Sequence, residues 1–353
     1  MKKAMMFVAL ALVVALGLAA CSPAAPAATP TPVAEATPQS TPEPTPAAPK
    51  TTVNIAAIKG PTGIGLTKLM EANDAGTAAN AYNFTLANGP DDVVGMVTSG
   101  DVDIAAVPSN LASTLYNKTQ GKVQIAAINT LGVLYILTSR DDIQSLSDLE
   151  GKTLTATGQG ATPEYVLNYI LKQNGLEDKV TIEYKAEHSE LATLAAAGEV
   201  DLCMLPEPNV TAVLMQNENM HIALDLTQEW EQATTDAGIS NSQLTMGVII
   251  VNKEFAAAHP EAMTDFLAEY KQSVEAVNAN AQEAGALVEQ YGIMPKAAAA
   301  TKAIPNCNIV MIQGQEMRDI EHNFLQILFD ANPQAVGGAM PSEDFYYLPQ
   351  ASE

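Results

Sequence analysis

Ser99-Gly100-Asp101-Val102-Asp103-Ile104-Ala105-Ala106-Val107-Pro108-Ser109-Asn110 is the stretch whose reading decides the fold. A small residue, a glycine and an acid mark a turn, four apolar residues follow Asp103, and Pro108 opens a polar loop. Four apolar residues after a turn signal suit a short strand buried on both faces, as in a parallel sheet. The loop beyond such a strand lies at its carboxyl end, where open α/β sheets bind ligands. The chain repeats the device at Ala197-Gly198-Glu199-Val200-Asp201-Leu202-Cys203-Met204-Leu205-Pro206-Glu207-Pro208-Asn209. Two such units predict two similar lobes facing each other across a cleft.

Outward from the first unit, the pattern alternates strand and helix. Strands are expected at Val53–Ile58, Tyr82–Ala87 and Val123–Ile128, with helices up to Asn73, from Pro90 to Thr98 and from Asn110 to Asn117. Around the second unit the plan recurs: strands at Thr153–Ala156, Val180–Tyr184 and His221–Leu226, and helices after Thr162 and from Ser189 to Ala197. Such alternation is the signature of an α/β fold with parallel sheets. Longer apolar strands near 133–140 and 244–252 bracket the second plan. They are expected to be two crossover hinge strands, with residues 51–136 and 248–353 forming lobe I and residues 137–247 forming lobe II. Each lobe is then a mostly parallel sheet flanked by helices. From Phe255 onward the pattern is helical, at 260–283, 286–291, 296–303 and 315–329. An irregular tail follows from Asn332, docked by Phe345, Tyr346 and Tyr347.

The amino terminus reads as a processing signal. Lys2 and Lys3 precede an apolar run from Phe7 to Leu18, and Leu18-Ala19-Ala20-Cys21 resembles a bacterial lipobox. The run is short for a spanning helix, which needs about 20 apolar residues. Cleavage before Cys21 and lipidation of its thiol are expected; an ordinary signal peptide with an incidental cysteine is the alternative. Ser22 to Lys50 holds nine prolines among Ala, Thr, Ser and Glu and no aromatic residue. It cannot bury enough apolar surface to fold and reads as an extended stalk. The formal net charge of −23 on 353 residues argues against nucleic acid and against docking on anionic lipid. Cys203 reads as a small buried apolar residue and Cys307 falls in a predicted loop; a disulfide between them is the alternative. No cysteine or histidine spacing suggests a metal, and no cofactor is expected.

On these motifs, together with the Gly-Gln-Gly-Ala-Thr loop at 158–162, the chain resembles the solute-binding proteins of ABC importers. The likeness covers about residues 51–330. It is to the group handling nitrate, sulfonates, taurine and thiamine precursors, with the type II periplasmic-binding-protein fold. The resemblance implies an extracytoplasmic, lipid-anchored, monomeric protein. It would close two lobes on a small molecule and deliver it to ABC permease subunits. An external sensor for a membrane receptor, or an enzyme on the same fold, are the other classes.

Four loops should meet in the cleft: Lys59 to Gly63 and Pro108 to Asn110 in lobe I, Gly158 to Thr162 and Pro206 to Asn209 in lobe II. The ligand-binding candidates are Lys59, Pro61, Thr62, Ser109, Asn110, Gly160, Ala161, Thr162, Glu207 and Asn209. Each loop precedes a helix, whose first N–H groups have no partner within it. For Thr62, Ser109 and Thr162, helix capping and ligand contact are both open. Glu207 pairs with a cationic or amine-bearing heterocycle, or is a solvated or capping carboxylate; Glu164, within a first helical turn, is read as stabilising the helix dipole. The only arginines are Arg140 and Arg318, neither in a cleft loop. Arginine is the usual bidentate partner of a sulfonate or carboxylate, so its absence tilts the ligand toward a neutral or cationic heterocycle. Helix N-termini can bind anions without it. Trp230 either stacks on the ligand at the cleft edge or packs against its own lobe. The four histidines, at 188, 221, 259 and 322, share no metal spacing, and no nucleophile elbow or phosphate loop is present, so no catalytic residue is assigned.

Overall fold

The structure, a computed structural model, describes residues 50–348. The expected signal at 1–21, the expected lipidation of Cys21, and residues 22–49 of the expected stalk lie outside the described residues.

Eleven strands are described, β1 (Thr52–Ile58), β2 (Ala81–Ala87), β3 (Ile104–Pro108), β4 (Val123–Leu131), β5 (Leu134–Thr138), β6 (Thr153–Thr157), β7 (Thr181–Lys185), β8 (Leu202–Pro206), β9 (His221–Asp225), β10 (Thr245–Asn252) and β11 (Ile309–Ile312). They form two sheets, in the orders β11-β4-β10-β3-β1-β2 and β7-β6-β8-β5-β9. Apart from the added edge strand β11, the orders correspond one for one. The repeated sequence explains this: β3 and β8 hold the same place, between the first strand of their lobe and the strand inserted from the other half of the chain.

Both repeated strands are buried on both faces. In β3, Ile104 and Ala106 face one core and Ala105 and Val107 the other. In β8, Leu202 and Met204 face one core and Cys203 and Leu205 the other. Side chains alternate across a strand, so a strand covered on both sides reads as a continuous apolar run. The sheets are mixed. β1, β2 and β3 pair parallel, but β10 is inserted antiparallel between β3 and β4. β5 is likewise antiparallel to β8 and β9. A strand that enters from the opposite lobe starts at the cleft end of its sheet and must run against the resident strands.

The chain passes between sheets twice. Gly132-Val133 alone separates β4 from β5. The return runs from β9 through the helix Leu226–Asp236 and residues 237–244 into β10. β5 thus lies whole in the second sheet and β10 whole in the first. Gly132 is required by space: a Cβ there would lie 2.1 Å from Thr227 Oγ1 and 3.0 Å from Leu244 Cδ2.

Three elements differ from expectation. The break between the helices expected at 260–283 and 286–291 falls earlier, giving Pro260–Ala279 and Ala281–Gln290, because the Asn280 side chain accepts from the Glu283 N–H and caps the second. Leu226–Asp236, of which only Leu226 is assigned from sequence, as the end of a strand, is a helix. Ile309–Ile312, unassigned between the helices expected at 296–303 and 315–329, is β11 and extends the first sheet along β4. The tail docks as predicted through Phe345 and Tyr346, both buried, while the Tyr347 N–H donates to the Ile125 carbonyl.

Candidate binding cleft

The carboxyl ends of the first sheet's strands gather a polar edge. Gly247 of β10 lies opposite both Pro108 and Thr130, and Thr245 lies opposite Leu131. A Cβ on Gly247 would sit 2.6 Å from Asn129 Oδ1 and 2.6 Å from Thr62 Cγ2, so glycine here lets the 58–62 loop close over the strand ends. Asn129 Nδ2 donates to the Thr62 carbonyl at 3.0 Å, and Thr62 Oγ1 donates back to the Ile58 carbonyl at 3.1 Å. Pro61 opens the short helix Pro61–Ile64. Lys59 is exposed and its ammonium donates to Asn88 Oδ1 at 2.9 Å.

Ser109 and Asn110 begin the helix Ser109–Lys118, whose N-cap is Pro108. Thr162 begins the helix Thr162–Gln173, with Ala161 as extended N-cap. Neither hydroxyl caps its helix. Ser109 Oγ is fully buried and donates to Glu321 Oε1 at 2.9 Å. Thr162 Oγ1 donates to Asn110 Oδ1 at 3.0 Å, a hydrogen bond that joins the first lobe to the second. Asn110 Nδ2 in turn reaches the Ala335 carbonyl at 3.4 Å. The structure therefore brings together two of the sequence-derived candidates, Asn110 and Thr162, across the lobes.

In the second lobe, acidic side chains occupy one N–H of the 158–162 loop and one in the first turn of the helix after Pro208. Glu164 Oε2 accepts from the Gly160 N–H, with Gly160 exposed at φ 75°. Glu207 is 2% exposed, and its carboxylate accepts from the Thr211 N–H at 3.1 Å and the Thr211 hydroxyl at 2.9 Å. Asn306 Nδ2, from the first-lobe side, adds a longer bond to Glu207 Oε1 at 3.4 Å. Burial raises the Glu207 carboxyl above its ordinary range, opposed by these hydrogen bonds. Asn306 also accepts from the Tyr135 hydroxyl through its carbonyl at 3.3 Å. Asn209 opens the helix Asn209–Leu214 and is half-buried.

Trp230 packs in the core. It is fully buried, its indole N–H donates to the Ser242 carbonyl, and its ring lies 4.9 Å from Tyr169 and 5.6 Å from Phe324 between centroids. Phe324 belongs to the helix Gly314–Ala331, so Trp230 cements the second lobe to the carboxyl-terminal helix rather than lining the cleft. Cys203 and Cys307 are free thiols, both buried. The arginines are committed elsewhere: Arg140 to Asp142 and Asp201, Arg318 to Asp319 and Glu343. Among the described residues, no group of His, Cys, Asp and Glu is arranged to hold a metal. An open pocket of about 950 Å³ lies beside the loop convergence, lined by Gly160, Tyr165, Tyr169, Val180, Ile239 and Asn332 among others. Of the candidate residues only Gly160 borders it.

Sequence reasoning missed Glu321. It is fully buried on the helix Gly314–Ala331, and desolvation pushes its carboxyl up to about 7 against the Ser109 hydrogen bond. Its signal was available. Met317, Ile320, Phe324 and Leu328 form the buried stripe of that helix, and Glu321 interrupts the stripe with a carboxylate.

Comparison with known proteins gives the same architecture. An ABC transporter protein from Parabacteroides distasonis is 22% identical and superposes with a TM-score of 0.70, covering 85% of this chain and 100% of its own. The periplasmic aliphatic sulphonate binding protein SsuA from Escherichia coli is 16% identical, with a TM-score of 0.68, over 87% of this chain and 94% of its own. The periplasmic nitrate-binding protein NrtA from Synechocystis PCC 6803 is 12% identical, with a TM-score of 0.57, over 80% of this chain and 82% of its own. Among curated proteins nothing matches by sequence. The sequence profile described as NMT1/THI5 like matches residues 83–284, more than half of the chain. The two-lobed α/β fold is that of the periplasmic binding proteins, and the chain belongs to the NMT1/THI5-like family.

Proposed function

We propose that the protein is an extracytoplasmic solute-binding lipoprotein. It captures a small molecule between its two lobes and delivers it to the permease of an ABC importer, tethered by lipid on Cys21. The observation that carries this reading is the Asn110–Thr162 hydrogen bond, formed between loops at the carboxyl ends of two sheets with the same strand order. Loops so placed meet when a hinged pair of lobes closes on a ligand. The names of the structural neighbours, an ABC transporter protein and binding proteins for sulphonate and nitrate, support a transport role over an enzymatic one.

The ligand is a neutral or cationic heterocycle of the vitamin-precursor kind, ahead of a sulfonate. Glu164 already fills an N–H of the 158–162 loop and Glu207 one in the first turn of the Asn209–Leu214 helix, where an oxyanion would otherwise be held. Both arginines are paired outside the four loops.

A thermal-shift screen tests this, with pyrimidines, thiamine precursors, nucleobases, polyamines, taurine, alkylsulfonates and nitrate. A ligand at 100 times its dissociation constant stabilises the fold by about 2.7 kcal/mol. The expected hit is a heterocycle bearing N–H groups. A larger shift with a sulfonate or nitrate would reverse the ligand assignment, and cooperative melting unmoved by every compound would count against small-molecule capture.

A further inference from the structure

The carboxyl group of Glu321 is half used. Oε1 holds the Ser109 hydroxyl, and Oε2 is buried without a hydrogen-bond partner. The Thr245 hydroxyl is close enough to favour the ionised carboxyl, yet its Oγ1 is also buried and completes no hydrogen bond. An unpaired buried carboxylate oxygen is costly, because it has lost water and gained nothing. All three residues are fully buried at the polar edge of the first sheet. Ser109 immediately precedes Asn110, the residue that reaches the second lobe.

Three of the hydroxyl protons at this edge are already committed. Ser109 gives its only proton to Glu321, so its oxygen is left as an acceptor. The same holds for Thr62, committed to the Ile58 carbonyl, and for Thr162, committed to Asn110. One amide hydrogen of Asn110 goes to the Ala335 carbonyl and one of Asn129 to the Thr62 carbonyl. No lysine or arginine among the described residues pairs with Glu321. Arg318, one turn earlier on its helix, spends its guanidinium on Asp319 and Glu343. The Tyr346 phenol, also buried without a hydrogen-bond partner, holds its proton more tightly than usual, mainly through burial.

We propose that Glu321 is a specificity-determining residue of the cleft. By taking the Ser109 proton while its own Oε2 stays without a partner, it places a buried acceptor at this edge that selects a ligand terminus carrying an N–H or ammonium donor. The proposal rests on the cleft assignment above and adds to it the end of the ligand that is read and the residue that reads it.

Calorimetric titration of the purified protein tests it with 4-aminopyrimidine and benzamidine as donor-bearing probes and ethanesulfonate as the anionic probe. The wild type is expected to bind at least one donor-bearing probe more tightly than ethanesulfonate. Glu321→Gln keeps the shape and removes the charge. It should melt cooperatively and weaken the better probe about tenfold to a hundredfold, the scale of one hydrogen bond to a charged group. Ethanesulfonate bound as tightly as the amines, or no amine bound at all, overturns the proposal. Unchanged affinity in Glu321→Gln with a weakened Ser109→Ala also overturns it, while leaving the cleft where it is placed. Unchanged affinity in both Ser109→Ala and Asn110→Ala removes the cleft assignment itself, and the proposal with it.

Discussion

Replacing Glu321 by glutamine should change how stability depends on pH, and the size of the effect follows from the site. The ordinary carboxyl value is 4.5, and burial on the Gly314–Ala331 helix raises it to about 7. The folded state therefore holds the proton more tightly than the unfolded chain does. The wild type has this contribution in full below 4.5, and loses it as pH rises through 7. At about 1.36 kcal/mol for each tenfold difference in proton affinity, the loss approaches about 3 kcal/mol. Glutamine does not titrate and loses nothing. Urea unfolding of both proteins from pH 4.5 to 9 isolates the effect, since every other carboxylate is common to the pair. The stability of Glu321→Gln relative to wild type should climb between 4.5 and 7 and then level off. Parallel curves over that range would refute the reasoning, because they would mean that folding leaves the proton affinity of Glu321 unchanged.

Further outcomes follow from the same structure. Asn110→Ala and Asn209→Ala should each weaken ligand binding without unfolding the protein, measured by calorimetry alongside thermal melting; full affinity in both would show that the cleft lies elsewhere. Gly132→Ala forces a methyl group onto Thr227 and should destabilise by about 1–3 kcal/mol, the usual cost of overpacking, or change the lobe connection; an unaltered melting temperature would contradict the close approach. Cys21→Ala should release the protein from membranes into the soluble fraction, and persistent membrane association would remove the lipid anchor.

The sequence disclosed the fold through β3 and β8 because both are covered on two faces, so that each prints an uninterrupted apolar run after a turn. Strand direction did not print. Nothing within Thr245–Asn252 records that it runs antiparallel between β3 and β4, since direction is fixed by which lobe the chain comes from. The Leu226–Asp236 helix was hidden because it starts directly at the end of β9, with Asp225 both closing the strand and capping the helix through the Thr227 N–H. Of the two readings of Trp230, its helical neighbours Leu226 and Ala233 select packing within its own lobe, by placing it on a buried face. At the site, Asn110 and Thr162 were legible as loop ends. Their mutual hydrogen bond was not, because it depends on how the lobes meet. Glu321 was missed for a different reason: attention to loops passed over a carboxylate set in the apolar stripe of a distant helix.

The central claim is that two lobes close on a small molecule. Electron-resonance distance measurement tests it most directly, with spin labels at exposed Lys118 of the first lobe and exposed Lys179 of the second. The pair would be measured before and after addition of the compound that most raises the melting temperature. The account predicts a broad or longer distance distribution in the free protein that narrows and shortens with ligand. An identical distribution in both states, with binding confirmed, would contradict closure as the mode of capture.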